Sequence, residues 1–333
     1  MDFSPSVYEH CARLIARTPW EVSRDPELLF AGQAEAFRRY RHRPVVVGVD
    51  IYNLEAEAYG AVVDRPDGNG IPAITRPACD DLGALARLAP FDPERDGRLP
   101  MVLGVAQRLR DAFPEADVRV PVAGPFSIAA SLLGFDNLLC AVLDDPPATA
   151  AALRRLAAGQ AAFCRAARRR GLDIAFFESA AAPPLLAPDQ FAAVAEPALR
   201  DLLAAAAEAV GHPVPCVIGG DTLPILPRIL ATGTGYVICP IETDQAAFLA
   251  AMRAHPQVMV RVNMSPSIVS RGAWPLIRAE VERVLALAAG RERVCLGTGA
   301  LPYETPPENV VRIAEYVRRR TAPGAAAPEE ETP

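Results

Sequence analysis

The sequence predicts an α/β fold, a parallel β/α barrel preceded by a helical N-terminal extension, on three observations. Short, near-continuous apolar runs recur along the chain, the mark of strands buried on both faces. Amphipathic stretches rich in Ala and Arg separate them, and strand alternating with helix defines the class. No G-x-G-x-x-G motif follows the first run, which argues against the open dinucleotide-binding sheet.

The elements are read in chain order. Residues 1–41 carry a helical pattern and are expected to cap the barrel. Seven strands are legible, at 44–50, 118–125, 173–179, 214–220, 235–242, 258–264 and 294–299. An eighth is expected within 61–75 or elsewhere, and residues 65–77 (RPDGNGIPAITRP) also suit a turn-rich loop or hairpin. Helices are expected at 147–170, 187–210, 243–254, 275–289 and 306–319. Asp244 and Thr305 are candidate N-caps, and Pro275 and Pro306 suit first-turn positions. One domain then spans 1–320, and the acidic, Pro-rich tail at 321–333 is expected to be disordered.

Composition narrows the function. The net charge of −6 argues against a nucleic-acid partner. All 34 basic residues are arginine, so Schiff-base chemistry through lysine is excluded while arginine recognition of carboxylate stays open. No apolar run is long enough for a membrane span, and the N-terminus lacks a signal-peptide core. Seven scattered cysteines without a C-x-x-C pair fit reduced thiols and a cytoplasmic protein. Cys216, Cys239 and Cys295 lie on strands; small buried apolar residues are the simpler reading, zinc ligation the alternative.

Chemistry in a parallel barrel gathers at the carboxyl ends of its strands. Those ends supply Asp50 with Tyr52 and Asn53, Gly124-Pro125 with Phe126, Glu178-Ser179, Gly219-Gly220-Asp221, Arg261 with Asn263, and Gly297-Thr298-Gly299. Asp50 ends an apolar strand, where a carboxylate needs a donor, either a ligand or a helix turn that it caps. Ser179 suits a substrate oxygen or a helix cap, and no nearby histidine makes it a nucleophile. Arg261 and Asn263 share one strand face, aimed at an anionic substrate, at Asp50, or into a buried ion pair. Asp50, Ser179 and Arg261 are the catalytic candidates; Tyr52, Asn53, Phe126, Glu178, Asp221, Asn263 and Thr298 are the substrate-binding ones.

Five segments carry a resemblance: VDIYNLEAEAYG (49–60), AGPFSIAASLLG (123–134), FFESAAAPPLLAPDQF (176–191), VNMSPSIV (262–269) and LGTGALPYETPPENV (296–310). Together they resemble the uroporphyrinogen decarboxylase superfamily, which holds decarboxylases and corrinoid-dependent zinc methyltransferases. The resemblance implies a distorted (β/α)8 TIM barrel. It places Asp50 at the decarboxylase aspartate and Ser179 at a carboxylate-binding serine. It also shows departures. No arginine-rich, glycine-containing segment precedes Pro44, and Ser131 and Thr298 replace a tyrosine and a histidine. The methyltransferase zinc positions fall on Val217, Gly219 and Gly299 or Ala300, none with a donor side chain. The expectation is a metal-independent decarboxylase or lyase for a small anionic, carboxylate-bearing substrate, without a cofactor, monomeric or homodimeric, and not acting on uroporphyrinogen itself. The alternatives are methyl transfer with a corrinoid protein partner and a non-catalytic ligand-binding role.

Overall fold

The computed structural model describes residues 1–322; the expected tail lies outside the described residues from 323 onward. Eight strands form one parallel sheet that curls into a nearly closed barrel ringed by helices. They are β1 (Asp2–Ser6), β2 (Val45–Val46), β5 (Val118–Ala123), β6 (Asp173–Phe177), β7 (Pro215–Val217), β8 (Tyr236–Cys239), β9 (Met259–Met264) and β10 (Val294–Ala300). The order is β1-β10-β9-β8-β7-β6-β5-β2, every ladder parallel. The seven expected strands are all present. Valines such as Val120, Val122, Val260 and Val262 are fully buried, as strands covered by helices require.

The eighth strand is not within 61–75. That segment forms an antiparallel hairpin outside the barrel, β3 (Val62–Asp64) with β4 (Ala73–Arg76). The missing strand is β1, inside the stretch expected to be wholly helical. The helices of that stretch are His10–Leu14, Pro19–Arg24 and Pro26–Tyr40. The long one packs beside Leu99–Ala112 and Pro307–Arg320, in the ring of helices that flanks the strands. Residues 1–41 are therefore the first β/α unit of the barrel, because β1 needs a partner ladder and β10 offers one.

β1 and β2 face each other across the seam of the ring without a ladder. Side chains bridge it: Ser4 Oγ donates to Arg43 O at 2.5 Å, and Gln33 Nε2 donates to Gly48 O at 3.2 Å. The helices begin as their sequences direct. Asp25 caps Pro26–Tyr40, Asp145 caps Pro146–Arg169, and Asp244 accepts from Ala246 N and Ala247 N. Thr305 is not a cap; the last helix starts at Pro307, and the Thr305 hydroxyl is buried without a partner. Among the described residues no single helix is long and apolar enough to cross a membrane.

Candidate active site

At the carboxyl ends of the strands lies a cavity of about 440 Å³. The end of β1 contributes Ser6, and the turn after it Tyr8 and Glu9. The end of β2 contributes Asp50, Tyr52 and Asn53, and the hairpin Ile71 and Pro72. Phe177, Ser179, Val217, Gly219 and Ile238 form a wall, and Arg261 and Asn263 come from β9. Asp50, Ser179, Arg261 and Asn263 thus share one space, as do Tyr52 and Asn53.

Arg261 is the cation of this space. It is 6 % exposed, and its Nε donates to Asn263 Oδ1 at 3.1 Å. Among the described residues no carboxylate pairs with it; its neighbours are the neutral Tyr8, Tyr236 and Cys295. Burial lowers its pKa, and Tyr236, Tyr8 and Cys295 outweigh that, so the net shift is upward and the guanidinium stays charged. Its stem lies across β10 at Gly297, where any Cβ would collide with the arginine Cδ and Cγ. That is one reason for glycine in this strand end. A buried cation lacking a counter-charge is costly unless a ligand supplies one.

Ser179 Oγ accepts from Tyr52 Oη at 2.8 Å and from Gly219 N at 3.1 Å. With both lone pairs engaged, its own proton is left to donate to a ligand oxygen. Burial pushes the Tyr52 phenol up, so it remains a neutral donor.

Other expected site residues serve the scaffold. The Asp50 side chain is 1 % exposed, and both oxygens are taken by Arg98, Nη1 to Oδ1 and Nη2 to Oδ2, each at 2.7 Å. Asn53 Nδ2 adds a bond to Oδ2 at 2.9 Å and another to Pro72 O. Asp50 is therefore not a free carboxylate but an anchor, locked by the fork-to-carboxylate geometry arginine favours. Arg98, from the loop before Leu99–Ala112, was not a candidate; it also binds Glu57 and Ser23 O. Glu178 does not line the cavity: it accepts from Phe126 N, Ser127 N and Ser127 Oγ at the start of helix Pro125–Leu133. Burial outweighs those bonds and raises its pKa to about 7. Phe126 is fully buried in the core, so only its N–H takes part. Thr298 is also fully buried, its Oγ1 accepting from Ser6 N at 3.2 Å to tie β1 to β10. Asp221 accepts from Thr243 Oγ1 at 2.8 Å, outside the cavity wall.

Residues 5–320 match the family model for uroporphyrinogen decarboxylase (URO-D). The chain belongs to that family. Among solved structures it is similar to a methyltransferase from Methanosarcina mazei, with 22% identity, a TM-score of 0.77, and coverage of 94% of this chain and 90% of that one. A B12-independent methionine synthase from Shewanella sp. W3-18-1 gives 12% identity, a TM-score of 0.53 and coverage of 88% and 90%. A putative vitamin-B12 independent methionine synthase from Listeria monocytogenes gives 11%, 0.50, 95% and 96%. At these identities the likeness is one of fold. No curated protein matches the sequence significantly.

Within this uroporphyrinogen decarboxylase family fold, the positions expected to bind zinc in the methyltransferase branch do reach the cavity, as Val217, Gly219, Gly299 and Ala300, and carry no donor. The described residues contain no group of three His, Cys, Asp or Glu able to hold a metal ion. The residues present do not fit that zinc. Cys216 and Cys239 are buried thiols pushed up by desolvation, Cys239 to about 12. Cys295, pushed up to about 11, lines a second cavity of about 630 Å³ toward the amino ends of the strands, whose wall shares Tyr8, Phe177, Val217 and Arg261 with the first. That larger cavity is the less promising site: its Arg119 is held by Asp117 and Asp173, and the chemistry of such barrels lies at the opposite face.

The residue that sequence reasoning missed is Glu9. It is 5 % exposed, lines the cavity, and has its carboxyl raised to about 7, chiefly by burial. Two unremarkable residues, Tyr8 and Glu9, follow a strand that was itself not recognised.

Proposed function

We propose that this protein is an enzyme that binds a small carboxylate-bearing substrate with an apolar body, and that the reaction is decarboxylation without a metal. The observation that carries the reading is Arg261, a buried guanidinium with no carboxylate partner among the described residues, set in a largely apolar cavity. Arg261 and the Ser179 hydroxyl hold one anionic oxygen group of the substrate. The carboxylate to be lost then lies against Phe177, Val217 and Ile238, where desolvation favours conversion of the anion to neutral CO2. Preorganised donors of this kind need not reorganise as charge moves.

Uroporphyrinogen itself does not suit the space. Among the described residues Arg261 is the one basic residue on the cavity wall, and Glu9 and Glu242 would repel further carboxylates. The test is a panel of small mono- and dicarboxylates assayed for CO2 release with wild type and Arg261→Gln. Loss of an arginine–oxyanion contact in a dry site is expected to lower kcat/KM by about 100-fold or more. Wild-type protein that neither releases CO2 nor binds any member of the panel would overturn the reading.

One observation favours a second reading, methyl transfer with a corrinoid protein. The loops at the carboxyl end expose Ile71 (48%), Leu185 (45%) and Ile241 (37%), apolar surface of the kind that a partner covers. Demethylation of methylcobalamin, followed by its absorbance change on adding protein and a thiol, separates the two.

A further inference from the structure

Among the described residues three glutamates have carboxyls raised by burial, and their settings differ. Glu178 is fully enclosed and accepts three hydrogen bonds at a helix start. Glu55 is fully enclosed too, its Oε1 accepting from Ala123 N at 2.8 Å. Glu9 alone of the three lines the cavity that holds Arg261 and Ser179. It sits in the turn between β1 and His10–Leu14, held by backbone bonds from Cys11 N to Tyr8 O and from Ala12 N to Glu9 O. The proposed decarboxylation leaves an electron pair on carbon, and that carbon needs a proton.

We propose that Glu9 is the acid of this site: it takes up a proton as a carboxylate ligand binds and delivers that proton to the carbon that loses CO2. The inference rests on the decarboxylase reading of the same cavity. In the step, the C–C bond to the carboxylate breaks, its pair stays on the substrate carbon, and the Glu9 carboxyl O–H bond breaks to form the new C–H bond. Water at the cavity mouth then reprotonates Glu9, so the net change is one carboxylate and one proton converted to one C–H and CO2.

The surroundings of Glu9 favour this. Burial raises its carboxyl to about 7, near the pH at which a general acid works best, and Glu304 raises it further. Its own backbone N–H opposes the rise. Glu242 is at the same rim, and Tyr8, Asp50, Tyr52 and Arg261 complete the titratable and charged groups of the wall among the described residues. Asp50 is neutralised by Arg98, and the Arg261 charge is consumed once an anion binds it. An incoming carboxylate therefore raises the proton affinity of Glu9, and binding takes up a proton.

The test uses benzoate as the probe. Its binding is measured by calorimetry near pH 7 in two buffers of different ionisation enthalpy, with wild type and Glu9→Gln. Carboxyl ¹³C NMR of glutamate-labelled protein identifies the group directly. Wild type is expected to take up a fraction of a proton, up to about one half, per benzoate bound. Glu9→Gln is expected to bind benzoate with no uptake and to lose one carboxyl resonance that titrates near neutrality. Benzoate binding without proton uptake, uptake that survives in Glu9→Gln, or a Glu9 resonance titrating in the ordinary glutamate range overturns the assignment to Glu9. Failure of benzoate and the wider carboxylate panel to bind at all overturns the decarboxylase reading, and the assignment falls with it.

Discussion

At the scale of single residues, two arginines divide the labour that the sequence suggested for one. Arg98 neutralises Asp50 and Glu57, so it belongs to the scaffold; Arg261 has no such partner and faces the cavity. Removing Arg98 leaves the buried Asp50 without its counter-charge, while Glu57 keeps its ion pair with Arg24. Arg98→Met is therefore expected to cost about 3–5 kcal/mol in chemical denaturation. The double variant with Asp50→Asn should recover part of that loss, since it removes one orphaned charge. A single variant as stable as wild type would restore Asp50 to the list of free site carboxylates. The position of Asp50 was legible because it ends an apolar run. Its partner was not, because Arg98 lies 48 residues away in a loop whose local pattern says nothing about where its side chain reaches. Gly297 is a milder case: the glycine was visible in the sequence, and its reason, the Arg261 stem, emerges only in three dimensions.

Among the elements, β1 is the instructive failure of sequence reading. Seven strands announce themselves through β-branched residues buried on both faces. The β1 sequence Asp-Phe-Ser-Pro-Ser has none, and a proline in its middle argues against a strand. The structure accommodates Pro5 because the ladder with β10 shifts register between Ser4 and Ser6, leaving that residue outside the regular bonding, and because β1 has no ladder on its other side. Side chains therefore hold much of what a ladder would. Thr298 Oγ1 accepts from Ser6 N, and Ser6 Oγ returns a bond to Thr298 O at 3.3 Å. Thr298→Val keeps the shape and strands the Ser6 amide, for an expected loss of about 1–3 kcal/mol. Urea denaturation should show a lower midpoint with an unchanged slope, and carboxylate affinity should hold. A loss of ligand affinity without a loss of stability would instead make Thr298 a contact to substrate.

Over the whole molecule, the buried ionisable groups set how stability depends on pH. Glu9, Glu55 and Glu178 have carboxyls raised from 4.5 to about 7, 8 and 7, chiefly by burial. The folded protein holds their protons where the unfolded chain has released them, so their contribution is complete below about 4.5 and is lost as pH rises through 7 to 8. His10 and His42 are lowered from 6.5 to about 4, again chiefly by burial. They remain neutral while the unfolded chain takes up protons, so their contribution is complete above about 6.5 and is lost as pH falls toward 4. Between about 4.5 and 6.5 the two sets oppose each other. Above 6.5 the histidines no longer oppose the glutamates, whose share of the stability should fall by about 3–4 kcal/mol on going to pH 8.5, given roughly 1.4 kcal/mol per pKa unit, with the buried thiols, raised from 9.0 by burial, beginning to add to the fall. Glu55 carries most of this: one of its oxygens is buried without a partner, as suits a protonated carboxyl. Glu55→Gln mimics that protonated form, so it should flatten the decline and make the variant the more stable protein at pH 8.5. Guanidinium denaturation at pH 6.5, 7.5 and 8.5 reads the slope, and a wild-type stability that holds or climbs over this range would mean that Glu55 is ionised in the fold.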